Sequence, residues 1–382
     1  MGIYSCENEW HKRKGLILVA VINTGFNPLV SLVNMVRFIR IQMVLFILVL
    51  SSTMYGQDAP FAEEKGYYIE NAERTVVDFD EDGSLKLVTT TFESKKVQSQ
   101  TPGLFSSDVI NYSSSFTRIY DIEAFSRMPK KRGFTRHDVN DIQTTDVSVN
   151  GVFHGDTKRK SFHYNALTEG AETILSYKTE YLEPRFWGTF YFASYLPVAK
   201  SVCEIKVHKD VNIRWVLKNT EHINLEYNEQ KQGDYIVHTW SASNLNKVSV
   251  DEDPDKVLFF MPHIVSWVES YKTKEGTVTM LKDASDLFRW YNSFIHMMPE
   301  DTLYGEVKSA VDSLVSPEDS EYEKVRKIYY LVQDHIQYLA FEDGLQGFIP
   351  RPAGLVLKRR YGDCKDMSYL LYSMLQEANV ES

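Results

Sequence analysis

Cysteine is scarce in this chain. Only Cys6, Cys203 and Cys364 occur among 382 residues, and no two are spaced as CxxC. A disulfide framework is excluded, and a structural zinc site or dithiol redox motif finds no ligands. Histidine gives no metal signal either. His137, His154, His163, His208, His222, His238 and His263 are scattered without an HxH or HExxH spacing, so no metal is expected. Positive charge is in deficit, with 42 Lys and Arg against 52 Asp and Glu, a net of −10. From Gln57 onward the balance is 37 against 50, a net of −13. So acidic a body repels phosphate backbones, and without a basic stripe nucleic-acid binding is not expected.

A single clean membrane-spanning run is also missing. Residues 16–36 are long enough, but Asn23, Thr24, Asn27, Ser31 and Asn34 dilute them. Residues 43–50 are too short to span and fit the apolar region of a secretory signal. Arg37 and Arg40 precede that region, and Gly56-Gln57 follows as a cleavage point. This pattern predicts translation from Met35 and a signal peptide over 35–56, the first 34 residues being an over-extended reading frame. The competing expectation is an uncleaved N-terminal membrane anchor drawn from 16–50, which would be the chain's one membrane contact. Either way the body is expected outside the cytoplasm, in the periplasm or cell envelope.

What is present is an ordinary apolar content of 43% with 13% aromatic residues, mostly Tyr and Phe, enough for a sizeable core. Over 57–275 the period is two. Residues 73–80 and 84–91 flank Glu81-Asp82-Gly83, a hairpin with turn chemistry. Ala199, Ser201, Cys203, Ile205 and Val207 alternate with polar residues and place Cys203 on an inward face, a small core residue rather than a reactive thiol. Further strands are expected at 173–181, 189–195, 212–218 and 235–241. Many short strands predict an antiparallel, sandwich-like all-β domain.

Over 276–382 the period changes. Leu287, Trp290, Tyr291, Phe294 and Met298 recur at helical spacing, and 307–315 forms a second amphipathic stretch. Ser316-Pro317-Glu318-Asp319 has the residue types of a helix start with Ser316 as N-cap. The helix it opens is expected to bury Tyr322, Val325, Ile328, Tyr329, Val332 and Ile336. Finally Cys364, Met367, Leu370, Leu371, Met374 and Leu375 share one helix face. This predicts Cys364 in the first turn, facing inward, where free N–H groups, the helix dipole and Lys365 favour a thiolate and an oxyanion. A lone cysteine on a buried helix face is more often packing than chemistry.

Three stretches settle the reading of Cys364: Ile336–Gly344, Gly347-Phe348-Ile349-Pro350-Arg351-Pro352, and Arg360-Tyr361-Gly362-Asp363-Cys364-Lys365-Asp366. Together they resemble the bacterial transglutaminase-like superfamily, in the group where that module follows a β-rich domain of unknown function. Upstream, Glu169 to Tyr177, Phe190 to Pro197 and Pro262 to Trp267 are similar to the accompanying domain. The resemblance implies an incomplete α+β, papain-like module after the β-domain, with Cys364 in the nucleophile position of a Cys-His-Asp triad. It implies amide hydrolysis or acyl transfer on peptide or protein substrates through a thioester, with no cofactor. The family's His and Asp follow the cysteine, yet none of the 18 residues after Cys364 is a His, and the tail Gln376 to Ser382 contains no Asp. His296 and His335 lie upstream and do not match the motif. The expectation is therefore a C-terminally truncated chain, inactive by itself, whose Met367, Leu371 and Met374 lack the sheet that should cover them. A second expectation, from a different class, is a non-catalytic cell-envelope binding or scaffold protein.

Overall fold

The computed structural model describes residues 61–100, 102–148, 152–248 and 259–382. The leader reading falls outside these residues. Among the described residues no helix is long and apolar enough to cross a membrane.

The predicted hairpin is the spine of the β-region. Strands Gly66–Phe79 and Leu85–Val97 pair antiparallel, from Gly66 opposite Val97 to Phe79 opposite Leu85. Their turn closes as expected. The Asp80 carboxylate accepts from Asp82 N–H (3.1 Å) and Ser84 N–H (2.8 Å), and Gly83 takes φ +80°, which costs a glycine nothing. Around this hairpin runs an eight-stranded sheet in the order Leu225–Gln232, Tyr235–Leu245, Val198–His208, Gly66–Phe79, Leu85–Val97, Glu172–Tyr181, Thr117–Pro129, Phe134–Asp138. The expected antiparallel pairing holds at every step but one: Gly66–Phe79 and Val198–His208 run parallel. A parallel pair needs a long return path, and the intervening hundred or so residues, which build much of the rest of the domain, supply it.

One face of this sheet is covered twice over. A four-stranded sheet (Thr189–Tyr191, His263–Thr273, Val211–Lys218, Gly276–Thr279) packs Phe190, Phe192, Ile264 and Val268 against Val77, Leu87, Cys203, Ile205 and Trp240. The expected strand at 189–195 shortens to Thr189–Tyr191. A three-stranded sheet (Ser107–Ser113, Thr157–His163, Gln143–Asp146) brings Ile110 and Phe162 onto Ala124 and Leu175. Cross-strand register puts Cys203, Glu73, Thr91 and Tyr177 in one row on that shared face. The mostly β region with sandwich-like layers is thus as expected, and Cys203 is buried in it.

Five helices follow: α1 (Ala284–Ser293), α2 (Tyr304–Leu314), α3 (Glu321–His335), α4 (Ala353–Arg359) and α5 (Cys364–Glu377). Helices α2 to α5 enclose a core of Val307, Val311, Ile328, Val332, Val356, Leu370 and Met374. Three local expectations need correction. Helix α3 is capped by Ser320, not Ser316, because Glu323 at the third position returns a bond to Ser320 N–H and completes a capping box. Ser316 instead starts a turn held by Asp319. Of the α3 residues expected inside, Ile328, Val332 and Ile336 are buried, but Tyr322, Val325 and Tyr329 are exposed, since the buried stripe is narrower than the sequence pattern. On α1, Leu287 and Tyr291 are likewise exposed while Phe294 is buried.

The helices join the sheets at two places. Ala340–Glu342 pairs parallel with Val152–Gly155. Beside it Phe116 and Phe186 from the β-region meet Trp290, Phe294 and Phe348, with ring centroids 4.5–6.3 Å apart.

Candidate active site

Helix α4 ends at Arg360, whose φ of 61° reverses the chain. Tyr361-Gly362 then pairs with Gln337-Tyr338, through Gln337 N–H to Arg360 O (2.8 Å) and Leu339 N–H to Gly362 O (3.0 Å). Only glycine fits at 362: a Cβ there would stand 2.7 Å from Asp366 Cβ. The next residue, Asp363, is the N-cap of α5, so Cys364 is its first helical residue, as expected.

The first turn of α5 is held by a closed set of bonds. Asp363 Oδ1 accepts from Lys365 N–H and Asp366 N–H, both at 3.2 Å. Asp366, fully buried, returns a bond from Asp363 N–H (3.2 Å). It also accepts from Arg351 N–H (2.8 Å) and Arg351 Nη1 (2.8 Å). The Arg351 guanidinium lies 3.9 Å from the Phe341 ring centroid, and Phe341 stacks on Tyr361. Asp366 thereby ties the loop before α4 to the turn that carries the cysteine. Sequence pattern alone assigns neither residue a role. A signal was there, since Asp-x-x-Asp is capping-box spacing.

Two electrostatic expectations are revised. The Lys365 ammonium is bound to the Asp363 carboxylate, so its charge is compensated rather than free to act on Cys364. The N–H groups expected to serve an oxyanion are mostly taken, those of Lys365 and Asp366 by the Asp363 side chain and that of Met367 by Asp363 O (2.9 Å). The Cys364 N–H remains, with no acceptor among the described residues.

Cys364 itself is exposed, not inward-facing, because the N-cap and third position, Asp363 and Asp366, take the buried side of the turn. No hydrogen bond or ion pair reaches its sulfur from the described residues. His296 and His335 are both exposed, and the His335 ring contacts Leu331 O. Neither forms a hydrogen bond or ion pair with Cys364. Below the sulfur, along the same helix face, Met367, Ser368 and Leu371 join Tyr329, Val332, Gln333, Ile336 and Tyr338 in an open groove of about 430 Å³. Met374, expected to be uncovered, is buried among the helices, whereas Met367 and Leu371 are half-buried in that groove. Among the described residues no cluster of three metal-ligating side chains exists.

The fold is a β-rich region followed by a helical one, in which a cysteine opens a capped helix after a Gly-Asp turn. Residues 103–249 match the Domain of Unknown Function with solved-structure structure, DUF3857, and residues 308–382 match the transglutaminase-like superfamily. The chain thus carries a DUF3857 match followed by a transglutaminase-like match. Among solved structures it is similar to the "putative protease" of Parabacteroides distasonis at 16% identity and a TM-score of 0.59, covering 82% of this chain and 59% of that one. This chain thus spans little more than half the length of that protein, and the likeness establishes the fold. An M1 zinc metallopeptidase of Deinococcus radiodurans is matched at 7% identity over 60% of this chain and 54% of that one, with a TM-score of 0.27. So low a score supports no comparison. No curated protein matches.

Proposed function

We propose that Cys364 is the nucleophile of a cysteine enzyme acting on amide bonds of peptides or proteins. The observation that carries the reading is its position, exposed and first in a helix whose opening turn is fixed by Asp363, Asp366 and Arg351. The sulfur attacks the amide carbonyl, the C–N bond breaks, and the thiol proton leaves on the departing amine. The resulting thioester is released by water or by a second amine. Cys364 N–H points from the helix start as one donor for the transient oxyanion. Proton transfer requires a base, and among the described residues none hydrogen-bonds the sulfur.

Alkylation with iodoacetamide between pH 5 and 9, read by peptide mass spectrometry, tests the assignment. Cys364 is expected to react with a pH profile displaced from that of a free cysteine peptide, while Cys203 stays unmodified. A Cys364 profile that overlays the free peptide would refute it. Export is proposed from the leader pattern alone, and mass determination of the mature N-terminus tests it: a chain starting at Gln57 supports it, and one starting at Met1 does not.

A further inference from the structure

The shared face of the large sheet carries an acid that the helical site does not use. Glu73 lies in a cavity of about 250 Å³ walled by Thr89, Thr91, Tyr177, Thr179 and Tyr181 of the sheet and roofed by Ile110 to Ser113 of the covering strand. Strand register sets this row. Glu73 stands opposite Thr91, Thr91 opposite Tyr177, and Thr89 opposite Thr179. The side chain is half-buried, so solvent still reaches it. Among the described residues no hydrogen bond or ion pair holds its carboxylate.

A cation on the same sheet face is already taken. Lys95 pairs with Glu93 at 3.0 Å and with Asp108 at 2.7 Å, and Tyr164 donates to Asp108 at 2.8 Å. Glu73, Glu93, Lys95 and Asp108 together carry an excess of two negative charges when ionised. Burial, and then the neighbouring Glu93, push the Glu73 carboxyl up to about 7. Lys95 remains a cation because Glu93, Tyr68 and Asp108 outweigh its burial. The remaining titratable groups facing Glu73 do not compete near neutrality: burial pushes up the Tyr177 and Tyr181 phenols and the cross-strand Cys203 thiol. An unpaired carboxylate inside a ring of hydroxyls lacks one thing, a cation with several N–H donors.

We propose that this cavity recognises a primary ammonium group. An ammonium offers three donors and no acceptor, matched by one carboxylate and the lone pairs of Thr89, Thr91, Thr179 and the two tyrosines. The tyrosine rings add attraction for a cation near their faces. A divalent metal fits less well, since a hard cation wants several charged oxygens, and Glu73 is the one carboxylate lining the cavity. At roughly 30 Å³ per water-sized group the space takes an amine on a short alkyl stem. Such a group comes either from a lysine side chain or from the free amino terminus of a peptide.

Calorimetric titration of the 382-residue chain at pH 8 with n-butylamine, the neutral and slightly longer alcohol n-pentanol, N-acetyl-lysine methylamide and alanine methylamide tests the proposal. The expected result is binding of butylamine at least about tenfold tighter than pentanol, weakening by about tenfold at pH 5.5 as Glu73 takes up a proton. One of the two amino-acid probes is expected to bind, and which one identifies the source. Glu73→Gln is expected to abolish the preference for the amine, and Glu73→Asp to weaken it. A second measurement needs no variant. The side-chain carboxyl 13C resonance of Glu73 in the wild-type chain should titrate at lower pH with butylamine present. Equal binding of butylamine and pentanol, no binding of any amine to about 100 mM, unchanged affinity in Glu73→Gln, or an unmoved Glu73 titration would each overturn it.

Discussion

Replacing Asp366 by alanine is expected to loosen the cradle of Cys364 while leaving the sheets folded. The carboxylate is fully buried and satisfies three donors, Asp363 N–H, Arg351 N–H and Arg351 Nη1. Breaking a buried charge pair by removing one partner costs about 3–5 kcal/mol when the other charge stays trapped. Here the Arg351 side chain retains one-fifth of its exposure and relaxes toward water, which lowers that figure. Against this, two backbone N–H groups are left without an acceptor at about 1 kcal/mol or more each, and the capping box is lost. A net destabilisation of about 3–4 kcal/mol follows. It is local, since Asp366 touches no strand of the large sheet. The assay is hydrogen exchange read by mass spectrometry on intact Asp366→Ala protein. Amides of 349–368 should exchange about 200- to 900-fold faster, at 1.36 kcal/mol per tenfold, while those of 66–97 keep their protection. Asp366→Asn, which keeps one acceptor oxygen, should show about half the effect in free energy. Less than a threefold change in Asp366→Ala would refute the claim that this carboxylate holds the turn.

Four further outcomes follow from the same geometry. Gly362→Ala forces a Cβ to 2.7 Å from Asp366 Cβ and should cost about 1–3 kcal/mol in denaturant unfolding, with Cys364 alkylation altered in parallel. Phe348→Ala empties the centre of the aromatic cluster and should cost about 3 kcal/mol, with faster exchange at Ala340–Glu342 as the two regions separate. The Glu73 pKa of about 7 lies above the roughly 4.3 of an unfolded glutamate. The folded state therefore binds more protons across that window, and stability falls as pH rises through it. Glu73→Gln should thus match wild type near pH 4 and exceed it by about 1–3 kcal/mol at pH 8 in urea melts. Cys203, buried and with its thiol pushed well up by burial and by Glu73, should resist iodoacetamide in native protein and react once the chain is unfolded in urea.

Much of the fold was legible because local chemistry and the final structure agree. Asp80 and Gly83 announce the hairpin turn, alternation around Cys203 marks a half-buried strand, and the i, i+4 spacing of Ile328, Val332 and Ile336 is what α3 buries. What escaped is tertiary. The parallel pairing of Gly66–Phe79 with Val198–His208 joins segments far apart in sequence and has no local signature. Tyr322, Val325 and Tyr329 follow the same helical spacing as their buried neighbours, yet the core shared by helices α2 to α5 leaves them outside. The start of α3 was misread because Ser316-Pro317-Glu318-Asp319 has every residue type of a cap. The capping box four residues later, Ser320 with Glu323, satisfies two backbone donors and outcompetes it.

At Cys364 the sequence located the residue, while the structure changed the account of its surroundings. Helix-start position suggested several free N–H groups and a free lysine charge. Yet the residues that make the start a good helix start consume them: Asp363 accepts from two N–H groups and binds Lys365, and Asp366 neutralises Arg351. A capping box and a multi-donor oxyanion site draw on the same orphan amides, so one turn cannot fully serve both. The first turn of α5 is therefore built for precision of placement, with one N–H left at Cys364. On the proposed reading of Cys364 as a nucleophile, the remaining stabilisation of an oxyanion and the removal of the thiol proton come from groups brought against the exposed sulfur from beyond this turn.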